Sequence, residues 1–575
     1  MRTLPRLTAS IVVACSWACG QDYGADQVVS RYHSHIPPVA HEAAQGAPVD
    51  GDTQMVLSVA LPLRDENELD ATLAALYDPN SPQFGRFLSP REFAARHHPS
   101  AEEVAEVRAA LIERGLVPEA AAHGCLLLVH GRAADVEEAF STALYHFTSH
   151  DGSHFVAPTS EPSAPGGIRL SAVHGLVSGF RPRAFYHRSE WHPHEATRER
   201  AHAFAQASNT LTADLLRRAY RVPDDVRGDG QTIGLFQLDS YDAADVAQYA
   251  NVNHLPPPNI TVVRLDGAEK AVVDANTQVE VQLDIMMAMA MAPNAEIRLY
   301  QGQSAGGSAG YQYYLNVFNE MANPTLGDRK LVRNLSTSYG YFEAQLSSAT
   351  LQSEAVIFKQ LAAQGQSLFS AAGDSGALGV NSSGQEVITV VDPAVQPYVV
   401  AVGGTRLGFE GDGNYVGEQA WAQGGGGVSR LWPRPAYQRQ VAATGTVSAS
   451  LRNAPDVAIN ADPNSGFQIV YNRRLLVVGG TSAAAPLWAS VQALINERRQ
   501  RLGANDLGFF NEALYRLGAG PTAPLGLHDI TVGDNGRYVA APGYDNATGW
   551  GSPKVDLLLE SLVGGYPRRA FSYWP

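Results

Sequence analysis

Gly479-Gly480-Thr481-Ser482-Ala483-Ala484-Ala485-Pro486 ends an apolar strand and opens a helix made of small residues. Glycine permits the sharp turn, and the small side chains let the helix start pack closely, which leaves the Ser482 hydroxyl at a positive dipole end. A serine placed there can be a nucleophile. It can equally be a cap, since Thr481 and Ser482 are the residue types that ordinarily cap a helix. Outward from this turn, apolar runs recur at Thr232–Leu238, Glu296–Tyr300, Lys330–Ser336, Ser367–Ala372 and Tyr398–Val402. Helical stretches at Ala275–Ala292, Leu346–Gln364 and Thr481–Arg498 alternate with them. Strands alternating with helices across residues 209–575 predict an α/β domain, a parallel sheet with helices on both faces.

A serine nucleophile needs a base, normally histidine. Of 17 histidines, 15 precede residue 205, and only His254 and His528 fall in the large domain. His254 precedes Pro256, Pro257 and Pro258, and His528 adjoins an aspartate, so both read as loop residues. Carboxylates are better placed. Glu280 and Asp284 lie four apart in Thr277-Gln278-Val279-Glu280-Val281-Gln282-Leu283-Asp284, which puts them on one helix face with Cβ atoms roughly 5–6 Å apart. Ile285 to Ala292 is apolar almost all round, so the face is expected to be buried and the two carboxyls to titrate as a pair. The plainer reading pairs Thr277 with Glu280 in a capping box, which leaves Asp284 unexplained.

Ser370-Ala371-Ala372-Gly373-Asp374-Ser375-Gly376 follows the end of another strand, where α/β proteins build sites. A protonated Asp374 could donate to a developing oxyanion. Gly373 to Gly376 also imitates a trypsin-type serine motif with His123, a match that the alternating strands and helices argue against. Near the C-terminus, Asp529-Ile530-Thr531 and Ala541-Pro542-Gly543-Tyr544-Asp545 offer oxygen ligands of the kind that suit Ca²⁺. Such aspartates more commonly cap their own turns. Asn460-Ala461-Asp462-Pro463-Asn464 lacks the terminal Glu of a calcium loop.

At 575 residues the chain exceeds one ordinary domain. Charged residues make up 17% and the net charge is −15 with no basic tract, which argues against a nucleic-acid partner. Residues 1–20 carry Arg2 and Arg6 before apolar Leu7–Ala18, the layout of an export signal. Cys15 or Cys19 could carry a lipid anchor, and plain secretion reads equally well. With Cys125 they are the only three cysteines, too few for a disulfide framework. Residues 21–51 read as a disordered tether, 52–185 as a small α+β domain, and 186–208 as a linker. A monomer is the default expectation.

Together these pieces resemble the sedolisin family of serine-carboxyl peptidases, kumamolisin-like members above all, over nearly the whole chain from about residue 52. Thr481–Pro486, Glu280 with Asp284, and Ala372–Gly376 match the family's motifs. So do Pro397–Thr405, Pro455–Ala458 and Gly424–Ser429. The resemblance implies a subtilisin-like catalytic domain preceded by an activation prodomain, of which Phe87–Phe93 is the most recognisable stretch. It implies Ser482 as nucleophile, Glu280 as general base, Asp284 orienting it, and Asp374 stabilising the oxyanion with the Ser482 N–H. One structural Ca²⁺ would be held by Asp529 and Asp545 and by carbonyls of Ile530, Ala541 and Gly543. Ser338-Tyr339-Gly340 falls on the substrate groove, Tyr339 standing where tryptophan is frequent. The implied activity is an acid-acting endopeptidase, secreted as a proenzyme and autoactivated at low pH, with peptides as substrates and its own prodomain as inhibitor until it is removed. The rival is a catalytically inactive homologue that binds peptides. Charging of prodomain histidines, His97, His98, His146, His150 and His154 among them, would help loosen the prodomain in acid.

Overall fold

The computed structural model describes residues 34–41, 43–149, 152–179, 182–189, 194–195, 210–265, 267–303, 311–381, 384–410, 414–520 and 526–564. The export segment, Cys15, Cys19 and His150 lie outside them. Among the described residues, no helix is long and apolar enough to cross a membrane.

An eight-stranded sheet organises the large domain. Ile260–Arg264, Glu296–Gln301, Thr232–Gln237, Asn334–Thr337, Ser367–Ala371 and Val400–Phe409 lie side by side and parallel. Val457–Asn460 runs parallel to the last of these, and Tyr415–Ala420 pairs with it antiparallel at the edge. Both faces are buried. Within one strand, Ile233 and Leu235 enter a core shared with the helices Ala275–Met291 and Thr481–Arg501, while Phe236 enters another shared with Tyr311–Ala322 and Ser348–Ala363. This double burial explains why the strands read as continuous apolar runs rather than as alternating ones.

The N-terminal domain has an antiparallel sheet of Val117–Pro118, Leu126–Arg132, Gln54–Ala60 and Ala172–His174. Ala101–Ile112 and Ala133–Phe140 cover it through Val107, Leu111, Val136 and Phe140. Its other helices, Glu66–Tyr77 and Pro90–His97, face the large domain and join that domain's core through Leu69, Leu73, Leu76 and Phe93. Tyr77 ties the two domains, its hydroxyl donating to the Ala362 carbonyl at 2.7 Å and accepting from Phe509 N at 2.8 Å.

Two segments depart from the expectations. The stretch read as a tether is ordered from Ser34: Ala44–Pro48 is an edge strand against Leu144–Thr148, and Ser34 N donates to Ser348 Oγ at 2.9 Å. Its prolines suit an edge, where a strand need not donate on both sides, and Val39 packs in a small core with Phe147 and Phe155. The start of the linker is ordered too, because His187–Arg188 adds a strand to the large domain, as Arg183–Ala184 does at the end of the 52–185 segment.

Candidate active site

Ser482 sits in the first turn of the helix Thr481–Arg501, completely buried. Neither Thr481 nor Ser482 caps that helix; the N-cap is Gly480, which has φ +125°. A Cβ at Gly480 would lie 2.2 Å from the Phe185 carbonyl oxygen and 2.6 Å from Asp374 Oδ2, so only glycine fits. Pro486 has no N–H to offer the Ser482 carbonyl four residues back. That carbonyl lies instead 3.1 Å from the Ser338 hydroxyl, which is also 2.7 Å from Asp284 Oδ1.

The helix Ala275–Met291 begins at Asp274, whose carboxylate accepts from Asn276 N and Thr277 N. Asp239 anchors this start by accepting from Val273 N and Asp274 N. Glu280 is therefore no part of a capping box. Both Glu280 and Asp284 are fully buried. Asp284 is held by Ser338 and by Gln237 Nε2 at 2.6 Å. Burial raises the Glu280 carboxyl well above its ordinary range, with the Asp284 and Asp374 carboxyls adding to the effect. The hydroxyls of Ser482 and Ser338 beside it pull the other way. Burial likewise raises Asp284, against the hydrogen bonds from Ser338 and Gln237. Burial thus favours the protonated form of both carboxyls.

Asp374 Oδ1 accepts from Thr481 N and Thr481 Oγ1, each at 2.8 Å. Its Oδ2 accepts no hydrogen bond among the described residues, and His187 Nε2 stands 3.5 Å away. Burial pushes the Asp374 carboxyl up to about 8. In its neutral form the Asp374 carboxyl could donate a hydrogen bond from Oδ2, which has no partner among the described residues.

The structure thus brings Ser482, Glu280, Asp284 and Asp374 to one place. Neither His254 nor His528, nor His123, serves it. His254 lies in a turn with φ +55°, and His528 stacks on Tyr415 with its pKa lowered to about 3 by burial. His123 bonds to the Asn323 carbonyl in the domain interface. Gln237 and Ser338, which hold Asp284, escape the sequence reading as partners because both stand at strand ends that only the sheet brings beneath the helix.

Asp529 and Asp545 form a separate cluster. Both Asp529 oxygens accept from Gly543 N, at 3.1 and 3.0 Å, and Asp545 Oδ2 accepts from Ala541 N at 3.0 Å. Two carboxylates thus converge on one turn, and burial raises Asp545 to about 6. Asp545 is also satisfied by Ala547 N, Thr548 N and Thr548 Oγ1, and what fits a hard cation such as Ca²⁺ is the all-oxygen chemistry of the donor set. No three or more His, Cys, Asp or Glu side chains are grouped so that they could hold a metal ion among the described residues, so carbonyls and water would complete any such site.

Residues 41–178 match the model of the pro-kumamolisin activation domain, and residues 272–551 that of the subtilase family. The chain is 34% identical to kumamolisin from Bacillus sp. (strain MN-32), covering 92% of this chain and 95% of that one. It is 29% identical to sedolisin from Pseudomonas sp. (strain 101), covering 91% and 90%. A solved structure of Pseudomonas sedolisin superposes with a TM-score of 0.56 at 26% identity, covering 62% of this chain and 99% of that one. With the fold and both domain matches in agreement, the chain belongs to the sedolisin family as a kumamolisin-like serine-type endopeptidase that carries its own activation domain.

Proposed function

We propose that this proenzyme hydrolyses peptide bonds in acid through Ser482, Glu280 and Asp284, with Asp374 as oxyanion donor. The supporting observation is the serine at a helix start above a buried, coupled carboxyl pair, with no imidazole bonded to Ser482 among the described residues. Glu280 in its ionised form takes the Ser482 proton as the hydroxyl attacks the carbonyl carbon. Asp284 holds Glu280's face through the shared proton, itself fixed by Ser338 and Gln237. The oxyanion receives the Ser482 N–H and the Asp374 carboxyl proton, and Glu280 then protonates the departing amine. Water repeats the sequence to release the acyl group.

The closed-state pKa values are raised chiefly by burial. Removing the prodomain admits water to the cleft and lowers them, which brings the pair's first ionisation into the acid range, where an Asp374 carboxyl still raised by its remaining burial keeps its proton. Asp529 and Asp545, with carbonyls of Ile530, Ala541 and Gly543, would hold one Ca²⁺. Its chemistry there would be structural, fixing the loops 529–549. We extend the proposal to secretion directed by residues 1–20, with lipidation at Cys15 or Cys19 as the alternative to plain release, and to a monomeric product.

The test is cleavage of denatured casein from pH 2 to 8 by acid-activated protein, beside Ser482→Ala and Glu280→Ala. Activity confined to acid and lost from both variants is expected. Activity retained by Glu280→Ala would overturn the carboxylate base.

A further inference from the structure

The segment joining the two domains passes through the active site in the manner of a substrate. Before the site, Ala184 and Arg183 pair antiparallel with Tyr339 and Gly340. Beyond it, His187 and Arg188 pair antiparallel with Gly479 and Val478. Between these strands, Ser482 N donates to the Phe185 carbonyl oxygen at 2.9 Å, and Phe185 N donates to Ser482 Oγ at 2.9 Å. A peptide that adds a strand to both walls of a groove is held in one register. That register puts a single carbonyl against the nucleophile and its N–H.

Side chains fix the same alignment. Phe185 is buried at 6% exposure. A Cβ on Gly340 would lie 3.2 Å from its Cε2, and one on Gly373 would lie 3.9 Å from its Cε1. Each of those glycines also abuts Val391. The ring therefore fills a slot cut by two missing side chains and closed by Val391. After the carbonyl, the Tyr186 hydroxyl donates to the Asn276 carbonyl at 3.0 Å, and Arg188 reaches Asn276 Oδ1 at 3.3 Å.

Resting on the peptidase reading above, we propose that the chain's first self-cleavage falls between Phe185 and Tyr186, and that the same slot selects an aromatic side chain before the cut in other substrates. This bond stands at the leading edge of the 186–208 linker. Ser482 Oγ forms a bond to the Phe185 carbonyl carbon, and the C–N bond to Tyr186 breaks. The serine proton passes through Glu280 to the Tyr186 amine. Water then releases Phe185 as a carboxylic acid and returns a proton to Ser482. In the closed state Ser482 Oγ accepts from Phe185 N and lies 3.4 Å from the Ser338 carbonyl, so it must turn toward Glu280 before attack. The need for that turn accounts for an intact chain seated on its own nucleophile.

The full chain is brought from neutral to acid pH, quenched at intervals, and its products mapped by intact mass and N-terminal sequencing. Fragments ending at Phe185 and beginning at Tyr186 are expected first, at a rate independent of protein concentration, and absent from Ser482→Ala. Phe185→Asp should slow that cut at least tenfold, since the slot offers no partner for a charge. Because that variant could also disturb docking, activated wild type is given paired peptides with Phe or Asp before the scissile bond, where the same preference is expected. An earliest new N-terminus elsewhere, a rate proportional to concentration, or equal cleavage of the paired peptides overturns the inference and leaves the peptidase standing. No cleavage anywhere, with no casein hydrolysis after the prodomain is removed by another protease, overturns the peptidase reading itself.

Discussion

His174 offers a direct way to test what acid does to the closed state. It lies on the prodomain strand Ala172–His174, 4% exposed, with Nε2 2.8 Å from Ser353 Oγ of the large domain and its ring 6.2 Å from that of Tyr311. Burial lowers its pKa to about 3, and the one charge that contributes is His35. The docked state therefore binds fewer protons than the undocked state, in which histidine titrates near 6.5. Docking is unaffected above that value, weakens as pH falls through it, and the loss levels off near pH 3. At pH 4.5 the difference is two pH units, about 2.7 kcal/mol or roughly 100-fold in docking equilibrium. His174→Gln keeps an amide to meet Ser353 and removes the proton. After a jump from pH 7.5 to 4.5, the variant should gain peptidase activity more slowly than wild type, by up to that factor, with thermal unfolding at pH 7.5 unchanged. Activation at the wild-type rate would refute the reasoning. The histidines proposed from sequence divide differently: His98, bonded to Gln360 across the interface, and His97 are buried with lowered pKa values, whereas His146 and His154 are exposed on an outer hairpin.

Asp374→Ala should lower kcat about 10²- to 10³-fold by removing an oxyanion donor, whereas Asp374→Asn, which keeps an N–H, should retain more activity and hold it to higher pH; steady-state kinetics across pH separates the two. Chelation by EDTA should lower the Tm of the wild type and leave that of Asp545→Ala unchanged, as read by calorimetry. Asp456→Ala should cost about 3–5 kcal/mol in urea unfolding, because it strands the fully buried Arg452 and frees Tyr515, Asn511 and the Ala401 N–H, all of which Asp456 accepts from.

That Ser482, Glu280 and Asp284 would be brought together was legible because the determinants are local. Glycines and alanines around Ser482 are required by close packing at one helix start, and the Glu280–Asp284 spacing is a property of one helix. The alternatives, capping by Ser482 and a Thr277–Glu280 box, fell only when Gly480 and Asp274 proved to be the caps. What escaped was set by pairing at long range. Gln237 and Ser338 reach Asp284 from strands 47 and 54 residues away. The helix Tyr311–Ala322 went unread, and Pro90–His97 was known only as a familiar stretch, though Ser89 and Glu92 cap it in a full box. Ala44–Pro48 has neither apolar alternation nor a turn signal, since its role is to close an edge.

The same distinction explains the connecting segment. Arg183 to Arg188 has no periodicity that would mark a strand, and it acquires strand form only from the two walls it joins. A segment with a strong strand preference of its own would gain stability from pairing whether or not the cleft was open, and would be hard to release once cut. One that borrows its order from Tyr339–Gly340 and Val478–Gly479 loses that order when the chain breaks beside Ser482, because each half then keeps only one wall and regains its conformational entropy. Weak local sequence at the site of self-cleavage is therefore consistent with release of the prodomain after a single cut, and the histidines buried in the interface make that release more favourable as the pH falls.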